Sequence, residues 1–132
     1  MKLLSDETIT SMNINIKTSN IDLTPAIDAY VRTKVEAFGK LLDISNSQVF
    51  IYVELEKTRP NEHHDDDLYR AEITVDNVGE VIYADAAASD VYAALDVVKD
   101  EILRKINRTR SKKRDIFRRG MTKIKSMLRL SK

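Results

Sequence analysis

The sequence predicts a two-layer α+β domain of order β-α-β-β-β-α, a mixed four-stranded sheet with both helices on one face. Three observations lead there: four short segments alternate apolar and polar residues at period two, two longer ones repeat apolar residues every three or four positions, and a helix separates only the first strand from its successor. A strand that reaches the next through a helix can pair with it in parallel by a right-handed crossover, whereas strands joined by turns or loops pair antiparallel. Helices whose apolar stripes meet one side of such a sheet close a single core.

MNINIK (12–17) puts Ile14 and Ile16 on one face and reads as the first strand. Thr24 is suited to cap a helix over 25–42, and Pro25 to open it; Ile27, Tyr30, Val31, Val35, Phe38 and Leu42 recur there at helical steps. QVFIYVELEK (48–57) sets Val49, Ile51, Val53 and Leu55 on one side and Phe50 and Tyr52 on the other. TRPNEHHDDD (58–67) is a polar loop, YRAEITVD (69–76) alternates Ala71, Ile73 and Val75, and Asn77 to Gly79 turns the chain into EVIYADAA (80–87). Ser89 is placed to cap a long helix from Asp90 to Asp115, with Val91, Ala94, Leu95, Val98, Ile102 and Ile106 as its buried stripe. Beyond Ile106 the stripe fades while Lys and Arg accumulate, so the second half of this helix is expected to project from the body or lie along its edge. Residues 1–11 read as a flexible leader, 12–115 as the domain and 116–132 as a basic tail. In that tail Gly120 interrupts the helical pattern, and Met121, Ile124 and Leu128 mark either a short helix that orders on binding or a frayed end.

A length of 132 residues suits one core and is short for two. The absence of cysteine excludes a disulfide framework, a thiolate metal site and a thiol nucleophile. The opening MKLLSDETIT is too weakly apolar for a signal peptide, and no apolar run approaches the ~18 residues of a membrane span, so a soluble cytoplasmic protein is expected. There is no Ser-His-Asp arrangement, Gly-rich phosphate loop or paired-carboxylate pattern, so neither an enzyme nor a cofactor is expected. His63, His64, Asp65, Asp66 and Asp67 are metal-ligand types, but sequence neighbours point apart and no second cluster complements them; a solvated acidic loop and no metal site is the expectation. Tyr30, Tyr52, Tyr69, Tyr83 and Tyr92 each fall in a strand or helix pattern and are expected to be packed or half-buried rather than stacked on bases.

The formal net charge of +1 conceals a polarised chain. Lys99 to Lys132 holds fourteen basic and three acidic residues, a net +11, which leaves eight basic and eighteen acidic residues, a net −10, for residues 1–98. Such asymmetry points to a polyanionic partner. Basic residues near a helix C-terminus also suit the helix dipole, but +11 exceeds what dipole matching needs. Lys or Arg at 104, 105, 108, 112 and 113 keeps several charges along one side of the helix. Arg104, Arg108, Arg110, Arg114, Arg118 and Arg119 favour RNA, because a guanidinium grips phosphate in a bidentate way or stacks on bases. Two alternatives stand beside this: a general structured-RNA binder, and a membrane-surface protein whose tail, Met121, Ile124 and Leu128 with Lys123, Lys125 and Arg129, forms a basic amphipathic helix.

MNINIKTSNIDLTPAIDAYVRTKVEAFGKLLD, followed by ADAAASDVYAALDVVKDEILRKINRTRSKKRD, resembles the short ribosome hibernation promoting factors and the related ribosome-associated inhibitors. The most specific piece is DVYAALD (90–96); Thr24, Ala26, Ile27, Tyr30, Val31 and Lys34 keep the family's first-helix pattern. The resemblance implies a domain similar to double-stranded RNA-binding folds, lodged in the decoding region of the small ribosomal subunit where transfer RNA and messenger RNA would sit, silencing idle ribosomes. It implies RNA-contacting roles for Lys34, Lys40, Arg104, Arg108, Arg110, Lys112 and Arg114, to which the charge pattern adds Lys105 and Lys113. Ala37 and Glu101 depart from the lysines expected in close relatives. The 17 residues after Asp115 are too few for the second domain of long members, so the match is to the one-domain type. The implied partners are the small subunit and 16S-type ribosomal RNA, with no membrane and no small-molecule substrate, and a monomer away from the ribosome.

Overall fold

The computed structural model describes residues 12–42, 49–58, 68–77 and 79–130. The leader 1–11 and the segment with His63, His64 and Asp65 to Asp67 lie outside the described residues. The elements follow in the expected order: β1 (Met12–Ser19), α1 (Pro25–Gly39), β2 (Val49–Lys57), β3 (Tyr69–Asn77), β4 (Glu80–Ala88) and α2 (Val91–Leu130). The strands form one sheet in the order β1-β2-β3-β4, with β1 parallel to β2 and the other neighbours antiparallel.

Period-two alternation decides which face is buried. In register, Ile14, Ile51, Val75 and Ile82 form one inward row, Ile16, Val53, Ile73 and Ala84 the next. Both helices cover this face: Val31, Val35 and Phe38 from α1 and Leu95, Val98 and Ile102 from α2 are wholly buried with Ile51, Val53 and Ile73. The opposite face, with Phe50, Tyr52 and Glu54, is left to solvent, as the antiparallel pairing of β2, β3 and β4 allows.

Three local details differ from the sequence reading. The hydroxyl of Thr24 accepts a hydrogen bond from the Ile27 amide at 3.1 Å and Pro25 opens α1, but the helix ends at Gly39 rather than at residue 42. The Leu41 and Leu42 amides donate to the carbonyls of Phe38 and Gly39, and this tight turn keeps both leucines against the core. At α2 the cap is Asp90 and not Ser89: its Oδ1 accepts from the Ala93 amide at 2.8 Å, satisfying an amide that the helix itself cannot. The third difference is Gly120, which does not interrupt the helix; α2 runs unbroken to Leu130. One glycine costs a helix only about 1 kcal/mol, too little to end it between good helix formers.

The tyrosines divide. Tyr30 and Tyr69 are half-buried as expected, whereas Tyr52, Tyr83 and Tyr92 are 46%, 41% and 38% exposed. On β4 the inward positions are Ile82, Ala84 and Ala86, so parity turns Tyr83 out. Gly79, at φ +83°, makes the β3–β4 turn, and its amide donates to the Asp76 carboxylate at 3.0 Å; only glycine adopts that backbone without strain.

Candidate nucleic-acid interface

The cations that the sequence marks as RNA-binding fall into two groups, those tied to the body and those left outward. Lys34 is tied. Its ammonium lies 2.9 Å from Asp96 and 4.6 Å from the centre of the Tyr30 ring, and the Tyr30 hydroxyl donates to the same carboxylate at 2.6 Å. Tyr92 packs edge-on against Tyr30 at 4.9 Å. The hydrogen bond to Asp96 raises the Lys34 pKa, while Tyr30 and then Lys34 hold the Asp96 carboxyl below its ordinary value. This cluster clamps α1 to α2.

Lys105 and Lys113 are also committed. The Lys105 ammonium donates to the carbonyl of Tyr83 at 2.5 Å, and that of Lys113 lies 2.8 Å from Glu80, so both reach down to β4 and fix the helix alongside it. The single cationic row of the sequence reading is thereby parted: these two lean towards the sheet while Arg104 and Arg108, one turn apart, face solvent. Arg104 pairs with its helix neighbour Glu101 at 3.0 Å, one of the two positions where a lysine was expected. Among the described residues Arg114 meets only the Ser111 hydroxyl, at 3.3 Å.

Arg108, Arg110 and Lys112 form no side-chain hydrogen bond or ion pair among the described residues, and all three are exposed. Lys40, at the end of α1, lies across a groove from Arg110 and Lys113; Leu41, Leu42, Ile82 and Ile106 also line it. The arrangement therefore presents Arg108 and Lys112 unneutralised on the outer side of a helix whose other side is buried, with Arg110 at the groove beside Lys40 of α1. Helical spacing of charges on a rigid rod matches closely spaced phosphates, and each phosphate contact displaces condensed counterions.

The open face of the sheet has the opposite character. Lys17, Glu54, Glu72 and Asp85 are register neighbours across the four strands. Arg70 reaches Asp85 at 2.7 Å and Glu72 at 3.3 Å, and the Tyr83 hydroxyl donates to Glu72. That hydrogen bond lowers the Glu72 pKa and raises that of Tyr83. On this face Glu54, Glu72 and Asp85 stand beside Lys17 and Arg70, whereas Arg108 and Lys112 on the outer side of α2 have no such counter-charge among the described residues. No described helix is long and apolar enough to cross a membrane, and no group of three metal-ligating side chains occurs among the described residues.

Residues 14–114 match the family profile of the Sigma 54 modulation protein / S30EA ribosomal protein. The chain belongs to this family. Ribosome hibernation promoting factor of Klebsiella oxytoca is 32% identical to this S30EA family member over 101 residues, which cover 76% of this chain and 96% of that protein. The ribosome hibernation promotion factor of Picosynechococcus sp. is 30% identical over 101 residues, and the chain spans about half its length, 50%. Among solved structures, the N-terminal domain of Thermus thermophilus Protein Y superposes with a TM-score of 0.59 at 26% identity, over 74% of this chain and 99% of that domain. A ribosomal subunit interface protein of Coxiella burnetii shares the fold, with a TM-score of 0.59 at 15% identity.

In this S30EA family member the matched region stops at residue 114 while α2 continues to Leu130. The extension carries Arg118, Arg119, Lys123 and Lys125, which lie past Asp115, where the sequence reading ends the helix and begins the tail. The signal that marks them is the apolar spacing of Phe117, Met121 and Ile124, which passes straight through the glycine.

Proposed function

We propose that the chain is a ribosome hibernation factor that binds the small ribosomal subunit in the decoding region, contacts 16S-type ribosomal RNA and stops translation in resting or stressed cells. The observation that carries this is the row of unneutralised cations on the outer side of α2, held in place by Lys105, Lys113 and the Tyr30–Lys34–Asp96 clamp. Family membership and the names of the relatives support the ribosomal assignment. In this reading residues 12–115 are the ribosome-binding unit, acting in the cytoplasm by occupancy rather than by catalysis. Arg104, Arg108, Arg110, Lys112 and Arg114 contact phosphates with Lys40 beside them, while Lys34, Lys105 and Lys113 add charge and hold the rod.

Phosphate contacts position a protein without specifying a sequence, so selectivity comes from the shape of the cleft. Co-sedimentation with purified small subunits, together with an Arg104→Ala/Arg108→Ala/Arg110→Ala/Lys112→Ala variant, tests the reading. The wild type should pellet with subunits and inhibit a cell-free translation reaction, and the variant should do neither. Equal affinity for naked duplex RNA and for assembled subunits would instead favour a general structured-RNA binder.

A further inference from the structure

Every described side chain of α2 from Ser111 to Leu128 is exposed, yet this segment is strongly two-sided. At ~100° per residue, Ile116, Phe117, Met121, Ile124 and Met127 fall within an arc of about 140°, and Arg118, Arg119, Lys123 and Lys125 fall outside it. These apolar residues are 41% to 67% exposed. An arc this wide is the face with which a helix covers a sheet, wider than the narrow seam of a two-stranded coil.

The direction of that arc is the informative point. Continuing the same rotation backwards, Val98, Ile102 and Ile106 lie on the same side of the helix as Ile116, Met127 and Ile124. The extension therefore leaves its own sheet with an apolar face aimed at the plane which that sheet occupies. Whatever covers it must be a free surface lying in continuation of the sheet. Lys105 at Tyr83 and Lys113 at Glu80 show that α2 exits over the end of the sheet where β4 begins.

The described residues contain a free surface of the right kind, the open sheet face, with the right polarity along its length. Nearest the exit end, Phe50 and Val81 flank Asp76, and in the next row Tyr52 and Tyr83 flank Thr74. Further in come Glu54, Glu72 and Asp85. The helix cannot reach this face in its own molecule, because it is on the other side of the sheet.

We propose that two copies of the chain pair reciprocally, each laying residues 116–128 of α2 on the open sheet face of the other. One copy turned upside down and abutted end to end brings both sheets into one plane with their covering helices on opposite sides. Each α2 then passes, without bending, from the covered face of its own sheet onto the open face of its neighbour. Residues 107–115 span about 13 Å across the junction and 116–130 about 22 Å, which fits on strands roughly 30 Å long. The apolar arc meets Phe50, Tyr52, Val81 and Tyr83 of the second copy, and Lys123 and Lys125, flanking the arc, reach towards its Glu54 and Asp85. The arrangement is two-fold and closed, so it ends at a dimer rather than a fibre. It replaces the monomer expected from the sequence. An anionic bilayer would cover the arc alone, and a pair of extensions packed on each other would set cationic flanks side by side; reciprocal pairing covers both free surfaces and opposes unlike charges.

Sedimentation velocity of the full chain without ribosomes, from about 1 to 100 µM, tests the proposal. The expected result is a concentration-dependent rise towards twice the 15.1 kDa monomer mass, weakened by salt. A helix variant, Phe117→Glu/Ile124→Glu, and a sheet variant, Phe50→Lys/Tyr52→Lys, alter exposed positions, and unchanged thermal melting of each confirms its fold. Each should remain monomeric at concentrations at least tenfold above the wild-type midpoint. An equimolar mixture of the two restores one intact contact and should form a mixed dimer that neither forms alone. A wild type that stays monomeric throughout overturns the proposal, whether or not it binds phosphatidylglycerol vesicles. So does a dimer that the sheet variant leaves intact, which would mean that the extensions pair with each other.

Discussion

Neutralising equal charge at two sets of positions on the same helix should have unequal effects on RNA binding. Arg108→Ala/Arg110→Ala/Lys112→Ala removes three cations that are unpaired among the described residues. Lys99→Ala/Lys105→Ala/Lys113→Ala removes three that are bound to Asp100, the Tyr83 carbonyl and Glu80. Each lost phosphate contact lowers the slope of log K against log salt by about 0.9, so the first variant should lose about 2.7 from the slope. At 0.1 M salt that is about 500-fold in affinity, roughly 4 kcal/mol. The second variant keeps its outward row and should change the slope by less than about 1, while losing about 0.2–1 kcal/mol of folding stability for each exposed ion pair broken. Filter binding or sedimentation with small subunits at a series of salt concentrations gives both slopes, and urea unfolding gives the stabilities. Equal slopes for the two variants would refute the reasoning, because the field of the whole helix, and not the outward row, would then be the source of affinity.

Asp96→Asn should cost about 1 kcal/mol in urea unfolding, since it weakens the Tyr30 and Lys34 bonds of a half-exposed carboxylate. Because the folded state holds Asp96 below its ordinary value, its contribution is present above the unfolded pKa of about 3.9 and is lost as pH falls through the lower folded value; the acid limb of the stability profile should therefore be shallower in Asp96→Asn. Gly120→Ala meets nothing within 4 Å, so it should stabilise the extension by about 0.5–1 kcal/mol, visible as increased helical ellipticity at low temperature. Gly79→Ala, at φ +83°, should instead lower the urea midpoint by an amount worth about 1 kcal/mol. Phe38→Ala, at a wholly buried site, should cost about 3–5 kcal/mol in the same assay.

What periodicity encodes was legible: all six elements and their pairing follow from apolar spacing and connection type, since burial of one face is a property of each segment by itself. What depends on a partner distant in sequence was not. Lys113 is one more cation in the sequence, and only the fold brings it to Glu80, 33 positions away; Tyr30 and Asp96, 66 apart, are joined in the same way. Charge therefore marks α2 as the cationic helix but not which cations on it are spare. The misplaced cap has a local cause, because Ser89 and Asp90 are both good N-cap residues and a one-residue choice is settled by which oxygen reaches an orphan amide. Gly120 was over-read because a helix break was inferred from one residue's propensity, while the apolar arc on either side of it was continuous.

The proposed function and the proposed pairing use different faces of α2, and this separation follows from helical rotation alone. Arg104, Arg108 and Lys112 recur every four residues on the outer side, whereas Val98, Ile102 and Ile106 hold the inner side and Ile116, Phe117 and Ile124 continue it past the sheet. Phosphates approaching from outside meet cations whether or not the inner arc is covered, so reciprocal pairing leaves the outward row available. The acidic row on the far side of the sheet makes the molecule a dipole in the field of RNA: an approach with Glu54 and Asp85 leading is repelled, and one with Arg108 leading is drawn in. A chain with the same net charge of +1 spread evenly would have neither preference. In the proposed function, orientation on the ribosome would thus follow from where the spare cations and the acidic row are placed on the two-layer core.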